Sequence, residues 1–215
     1  MDPIIERRFE NVSRSKTFAH IVHTFNLDKK AVFDIGCSNG EFLAHFGEGS
    51  LGLTIPEEEA KYARTKGLTV RSGNIEDPAF TPGKTFDAVF ANNIFEHLYS
   101  PHAFLRKAHT YLHPEGILIL GVPCIPMLSF LLRFRKFRGA LAGAHINFFT
   151  RRSLTLTVEK GGWRVHTVRG FRMQNALLDA LLNPIYPHFY VIATPDPDFA
   201  YDGKRLRELA GYSDL

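Results

Sequence analysis

Val32-Phe33-Asp34-Ile35-Gly36-Cys37-Ser38-Asn39-Gly40-Glu41-Phe42-Leu43 begins as an apolar run and turns on two glycines. Residues 31–35 read as a short buried strand, and a helix is expected from Gly40 through Phe46. A glycine turn between a first strand and a first helix lets a ligand approach the backbone closely. The spacing differs from G-x-G-x-x-G, so the phosphate-binding form of this turn is absent. Asp34 lies two residues before the first glycine. A carboxylate there repels a pyrophosphate and suits a ligand that carries an ammonium or sulfonium group.

Outward from this turn, strand and helix patterns alternate. Ile4, Ile5, Phe9, Val12, Phe18, Ile21, Val22 and Phe25 recur near the helical period, so residues 3–25 predict one helix or two. Strands are expected at 51–55, 68–71, 86–91 and 117–122. Pro56 suits the first turn of a helix after the second strand, and Glu57, Glu58 and Glu59 favour its N-terminus. A helix is expected from Pro101 to Leu112, then a turn at His113-Pro-Glu-Gly116. The rhythm breaks at 123–144, an apolar and basic stretch read as an insertion or lid. A helix at 152–160, a strand at 163–168, a helix at 176–182 and a strand at 189–193 close the pattern, leaving a polar tail at 195–215. The expectation is an α/β fold: a single Rossmann-like, doubly wound domain over 30–194, with a mostly parallel seven-stranded sheet and helices on both faces. Residues 1–29 form a helical segment able to cover a pocket.

The totals agree with one globular domain. The 215 residues are 45% hydrophobic and 22% charged, with a formal net charge of +4. That length can bury a full core without staples. Cys37 and Cys124 make no disulfide framework, and the first ten residues have no apolar signal-like core, so a reduced, cytoplasmic setting is expected. No apolar run approaches the roughly 18 residues that span a bilayer. No His/Cys/Asp/Glu group has metal-ligand spacing, so no metal is expected. Arg133, Arg135, Lys136 and Arg138 fall within six positions. With Phe130, Phe134 and Phe137 they admit three readings: a peripheral membrane contact, a site for an anionic ligand, or a helix with an aromatic core stripe and a solvated basic face.

The first turn resembles the opening motif of class I S-adenosylmethionine-dependent methyltransferases, roughly D-x-G-x-G-x-G. Asp34, Gly36 and Gly40 match, and Ser38 replaces the middle glycine. Phe86-Asp-Ala-Val-Phe-Ala-Asn-Asn-Ile-Phe-Glu-His-Leu98 is similar to the fourth-strand motif of a small-molecule subgroup with Glu-His-Leu after that strand. Leu112-His-Pro-Glu-Gly-Ile-Leu-Ile-Leu120 and His145-Ile-Asn-Phe-Phe-Thr150 resemble later landmarks of that subgroup, in the right order.

The resemblance implies S-adenosylmethionine as cofactor, held by Asp34, Gly36, Cys37, Ser38, Gly40, Thr54, Asn74, Ile75 and Asn92. It implies a small-molecule acceptor, with O-methylation favoured and an anionic or lipid-linked substrate in view. The family pattern places an acidic residue at the end of strand two to hold the ribose hydroxyls. Thr54 stands there instead, so either Glu57 or Glu58 reaches back or the cofactor is held less tightly. His145 is the expected acceptor-side base and His97 a wall of the pocket, against plain packing roles for both. Cys124 reads as an idle thiol in preference to a nucleophile. The alternatives are a catalytically inactive partner protein of the same fold and, further off, an RNA methyltransferase. No appended RNA-binding module is expected from these residues, which argues against nucleic acid.

Overall fold

The computed structural model describes residues 3–173, 175–201 and 203–204. In chain order the elements are α1 (Pro3–Ser13), α2 (Lys16–Phe25), β1 (Val32–Ile35), β2 (Leu51–Thr54), α3 (Glu57–Thr65), β3 (Val70–Ser72) and β4 (Phe86–Asn92). There follow α4 (Pro101–His109), β5 (Leu112–Ile125), β6 (Phe149–Thr150), α5 (Arg151–Lys160), β7 (Trp163–Arg169), α6 (Ala176–Leu182) and β8 (His188–Pro195). The sheet order is β3-β2-β1-β4-β5-β8-β7, with β6 paired beside the end of β5. The first five strands on this path are parallel. β8 runs antiparallel to both β5 and β7. The path therefore has the expected seven strands. The order reverses between β1 and β4, which is where open α/β sheets bind ligands.

The expected helix after Gly40 is not there. A 3-10 turn at Leu43–His45 takes its place. Only residues 36–50 separate the parallel strands β1 and β2, near the shortest crossover such strands allow. The face this leaves open is filled from the N-terminus. Phe18 and Ile21 of α2 are buried with Val32, Ala88, Phe90 and Ile119 of the sheet. The Phe18 ring lies 4.8 Å from Phe42 and 6.1 Å from Phe90, both edge-on. α2 is thus part of the core rather than an appendage. Phe18→Ala is expected to lower unfolding stability by about 3–5 kcal/mol, read from urea titration. A loss under about 1 kcal/mol would show that α2 does not complete the sheet.

Other departures have local causes. β5 is continuous from Leu112, and His113–Gly116 is absorbed as an irregularity where Phe86 pairs Leu112 but Ala88 pairs Ile117. The 123–144 stretch contains no α-helix. β5 runs on to Ile125, and three short 3-10 turns follow at Ser129–Arg133, Arg135–Phe137 and Gly139–Leu141. Phe130 and Phe134 are more than half exposed, so of the three readings the helix with an aromatic core stripe is overturned. Pro126, Gly139 and Gly143 break the segment too often for the helical spacing of its aromatics to be realised. Part of the expected tail, residue 202 and residues 205–215, lies outside the described residues. Its start is anchored, because Arg164 pairs with Asp196 and Asp198 at 2.8 and 2.9 Å. No described helix is long and apolar enough to cross a membrane.

Candidate active site

β1 delivers the turn to the reversal point. The backbone N–H groups of Gly36 and Cys37 both donate to the Leu53 carbonyl, at 2.8 and 3.0 Å. Gly36, Ser38 and Gly40 have φ of +77°, +49° and +91°. A side chain at Gly36 would collide with Ile94, and one at Gly40 with Leu68. Ser38 tolerates a backbone that costs a non-glycine residue about 1–2 kcal/mol. The turn borders a cavity of about 340 Å³ lined by Gly36, Cys37, Ser38, Glu41, Asn92 and Arg8, among others. Cys37 lends the cavity its backbone. Its thiol is buried in an apolar cluster with Leu43 and Ala60, and burial pushes its pKa up.

Asp34 lies behind this turn, fully buried, and its Oδ2 has no hydrogen-bond partner. Burial, and then the nearby Glu41, hold its carboxyl well above the ordinary range. Glu41 is buried too, with Arg8 of α1 at 3.8 Å. Arg8 offsets the Glu41 charge, whereas no ion pair is found for Asp34 among the described residues. Across the cavity, Asn92 Oδ1 is also without a partner and presses on Gly121, where any side chain would strike it.

At the end of β2 the Thr54 hydroxyl donates to Glu59 Oε2 at 2.6 Å. The expectation that Glu57 or Glu58 reaches back is therefore corrected to Glu59. Glu57 turns instead to Arg64 at 2.8 Å, and Glu58 is exposed. A glutamate at the third helical position normally bonds the N–H of the capping residue. The cap here is Pro56, which has no N–H, so Glu59 is left for Thr54. After β3, Asn74 is exposed and its Oδ1 accepts from the Glu76 N–H at 2.9 Å, closing a local turn. Ile75 is buried in the main core, not spread as an open surface.

The fold also assembles a cluster that spacing in the sequence does not show. Glu96 sits in the 3-10 turn after β4, is 1% exposed, and neither carboxylate oxygen has a partner. Burial pushes its carboxyl up to about 7. His97 Nε2 and His145 Nε2 approach Glu96 Oε1 to 3.9 and 3.8 Å, and the two rings meet edge-on at 4.7 Å. His97 Nδ1 lies 3.1 Å from the Ala144 carbonyl, and His145 Nδ1 lies 3.2 Å from that of Ala140. Carbonyls only accept, so these contacts put the ring protons on Nδ1 and turn both Nε2 lone pairs toward Glu96. The Ile146 and Asn147 N–H groups donate to the Glu96 carbonyl, fastening the two segments. The candidate ligand atoms of the three side chains lie within 4.8 Å of one another, so this set can share a proton or hold a metal ion. Both histidines are among the residues expected from the sequence; Glu96, which opens the Glu-His-Leu motif, is not.

Two further groups bear on the site. His188 Nε2 lies 3.0 Å from Asn93 Oδ1, and burial pushes that imidazole down to about 4. Cys124 is buried, donates to the Val122 carbonyl at 3.6 Å, and is pushed up to about 12, mainly by burial. Such a thiol is no nucleophile at neutral pH.

A profile of the methyltransferase domain matches residues 6–168. The chain belongs to the methyltransferase-domain family. Among curated relatives, the methyltransferase is 30% identical over 125 residues to a ubiquinone biosynthesis O-methyltransferase of Parvibaculum lavamentivorans, covering 50% of this chain and 47% of that one. It is 26% identical over 157 residues to the mitochondrial protein of that name from Bos taurus, covering 65% and 42%. The chain thus spans less than half the length of these two relatives. Its fold matches an S-adenosylmethionine-dependent methyltransferase of Mesorhizobium loti (TM-score 0.63, 16% identity, 85% of this chain and 99% of that one). It also matches a possible histamine N-methyltransferase of Thermotoga maritima (TM-score 0.61, 20% identity, 89% and 95%).

The cofactor of the methyltransferase is S-adenosylmethionine, and the residues present fit it. The group carries an ammonium, a sulfonium and a ribose diol. The unpartnered Asp34 and Asn92 oxygens and the half-buried Glu59 carboxylate offer acceptors of the right kind, and the glycine turn leaves the room a backbone contact needs.

Proposed function

We propose that this methyltransferase transfers its methyl group to a hydroxyl of a small molecule, with Glu96 as the proton acceptor. The observation that carries this reading is the Glu96 carboxyl, buried, unpartnered and faced by two imidazole Nε2 atoms. Methyl transfer to an O–H needs the proton removed as the new C–O bond forms, and an acceptor poised near neutral pH does this best. The names of the curated relatives, O-methyltransferases of a small molecule, favour the same reading.

When bound, S-adenosylmethionine supplies an activated methyl carbon. Asp34 and Glu41 would hold its ammonium end, and Gly36, Ser38 and Gly40 would leave room for the chain that follows. Glu59, hydrogen-bonded by Thr54, would hold the ribose diol. Asn74 would border the adenine, with the buried Ile75 behind it in the core, and Asn92 would lie toward the sulfonium. Glu96 would receive the acceptor's proton, and the His145 and His97 Nε2 atoms, 3.8 and 3.9 Å away, would be placed to accept it in turn. Transfer of labelled methyl to simple catechols, with the product identified as the ether, tests the reaction. Product on nitrogen alone, from a mixed panel of phenols and amines, would overturn it.

A further inference from the structure

The 126–148 segment was left by the fold in an unusual state for a water-exposed surface. Met127, Phe130 and Phe134 are 75%, 56% and 58% exposed. Their 3-10 turns pack few of their own side chains: Leu131 and Ala140 are the buried residues of the three. Interleaved with these apolar groups are Arg133, Arg135 and Lys136, all exposed. Arg138 is used internally, donating to the Leu132 and Arg133 carbonyls at 3.0 Å each. No acidic residue occurs between Glu115 and Glu159, and among the described residues no ion pair is found for Arg133, Arg135 or Lys136.

We infer that this segment docks the protein on an anionic lipid bilayer. The chemistry of the two sets of side chains is complementary to the two layers such a surface offers. The aromatic and Met side chains suit the acyl boundary, and the guanidinium and ammonium groups suit the phosphate plane just above it. A purely polar anion would use the cations and leave the phenylalanines in water. A nucleic acid would reward stacking but not Met127. The same segment holds the site: the Ala140 and Ala144 carbonyls are the partners of His145 and His97. Docking would therefore set the acceptor side of the protein against the membrane. On the proposed O-methylation, an acceptor dissolved in lipid could reach Glu96 without crossing water.

Flotation of the full chain with lipid vesicles tests this. Binding is expected to vesicles of phosphatidylcholine with one quarter phosphatidylglycerol, and not to phosphatidylcholine alone. Raising salt to about 0.5 M should weaken it, because the phosphate attraction is screened. Replacing Arg133, Arg135 and Lys136 together by glutamine should weaken binding about a hundredfold. Phe130→Ser with Phe134→Ser should weaken it about as much, with calorimetric affinity for S-adenosylmethionine unchanged in both variants as proof of an intact fold. The inference would be overturned by no flotation with either vesicle, by full binding of the double phenylalanine variant, or by a dimer in light scattering that the same substitutions dissolve. Displacement from the vesicles by RNA at equal charge would overturn it in favour of a nucleic acid. These readouts need no methyl transfer, so failure of the O-methylation reading leaves them interpretable.

Discussion

Glu96→Gln lowers kcat/KM for transfer to a hydroxyl by about 10²- to 10⁴-fold, the span of a positioned proton acceptor. Glutamine keeps the shape of the side chain but cannot take a proton. In the unaltered protein kcat/KM should climb with pH through about 7, where the buried carboxyl ionises. In the variant that limb should vanish. His97, His145 and the buried Cys124 thiol are the other titratable groups that surround this carboxyl, so the profile of a His145→Gln variant belongs in the same experiment. Survival of the limb in Glu96→Gln and its loss in His145→Gln would move the base to the histidine.

Stability supplies an independent sign. The Glu96 carboxyl is raised from 4.5 to about 7 by burial, so the folded state holds its proton more tightly than the unfolded chain does. Its contribution to stability is therefore complete below about 4.5 and is lost as pH rises through about 7. That difference amounts to about 3 kcal/mol, an order-of-magnitude value. Glutamine has no charge to bury, so the variant should be the more stable protein at pH 8 and the much slower one. A merely structural carboxyl would not give that pair of results together.

How much of this was legible in the residues differs from feature to feature. The turn at Gly36–Gly40 is decided locally, by glycines that must take positive φ, and the sequence reading found it intact. Helix α6 at 176–182 is legible too, since its cap Asn175 and apolar run are adjacent. The missing helix after Gly40 was not legible, because the reason is tertiary: α2, earlier in the chain, already occupies that face. The phenylalanines of 126–148 repeat at helical spacing, but period alone does not say whether anything packs against them. Glu96 and His145 are 49 positions apart, and tertiary contacts bring them together: the pairing of β6 with β5 and the Ile146 and Asn147 N–H groups on the Glu96 carbonyl. Within Glu57-Glu58-Glu59, three like residues carry no label. The absent N–H of Pro56 was the one local clue to which of them would turn back.

That choice sets the second large effect. Glu59→Ala should weaken S-adenosylmethionine binding about a hundredfold, or roughly 3 kcal/mol, as a carboxylate that accepts two hydroxyl hydrogen bonds is removed. Glu59→Gln should lose less, since the amide oxygen still accepts. Thr54→Val should lose less again: it frees Glu59 from a 2.6 Å hydrogen bond but leaves the carboxylate present. These titrations read affinity, not turnover, so a defect in the acceptor site cannot imitate them. The decisive comparison uses a cofactor product lacking the ribose hydroxyls. If Glu59 holds the diol, the unaltered protein and Glu59→Ala should bind that analogue almost equally. An undiminished hundredfold gap would mean that Glu59 acts through the packing of α3 on β2 instead. Thr54 would then be a true loss at a position where the family carries an acid.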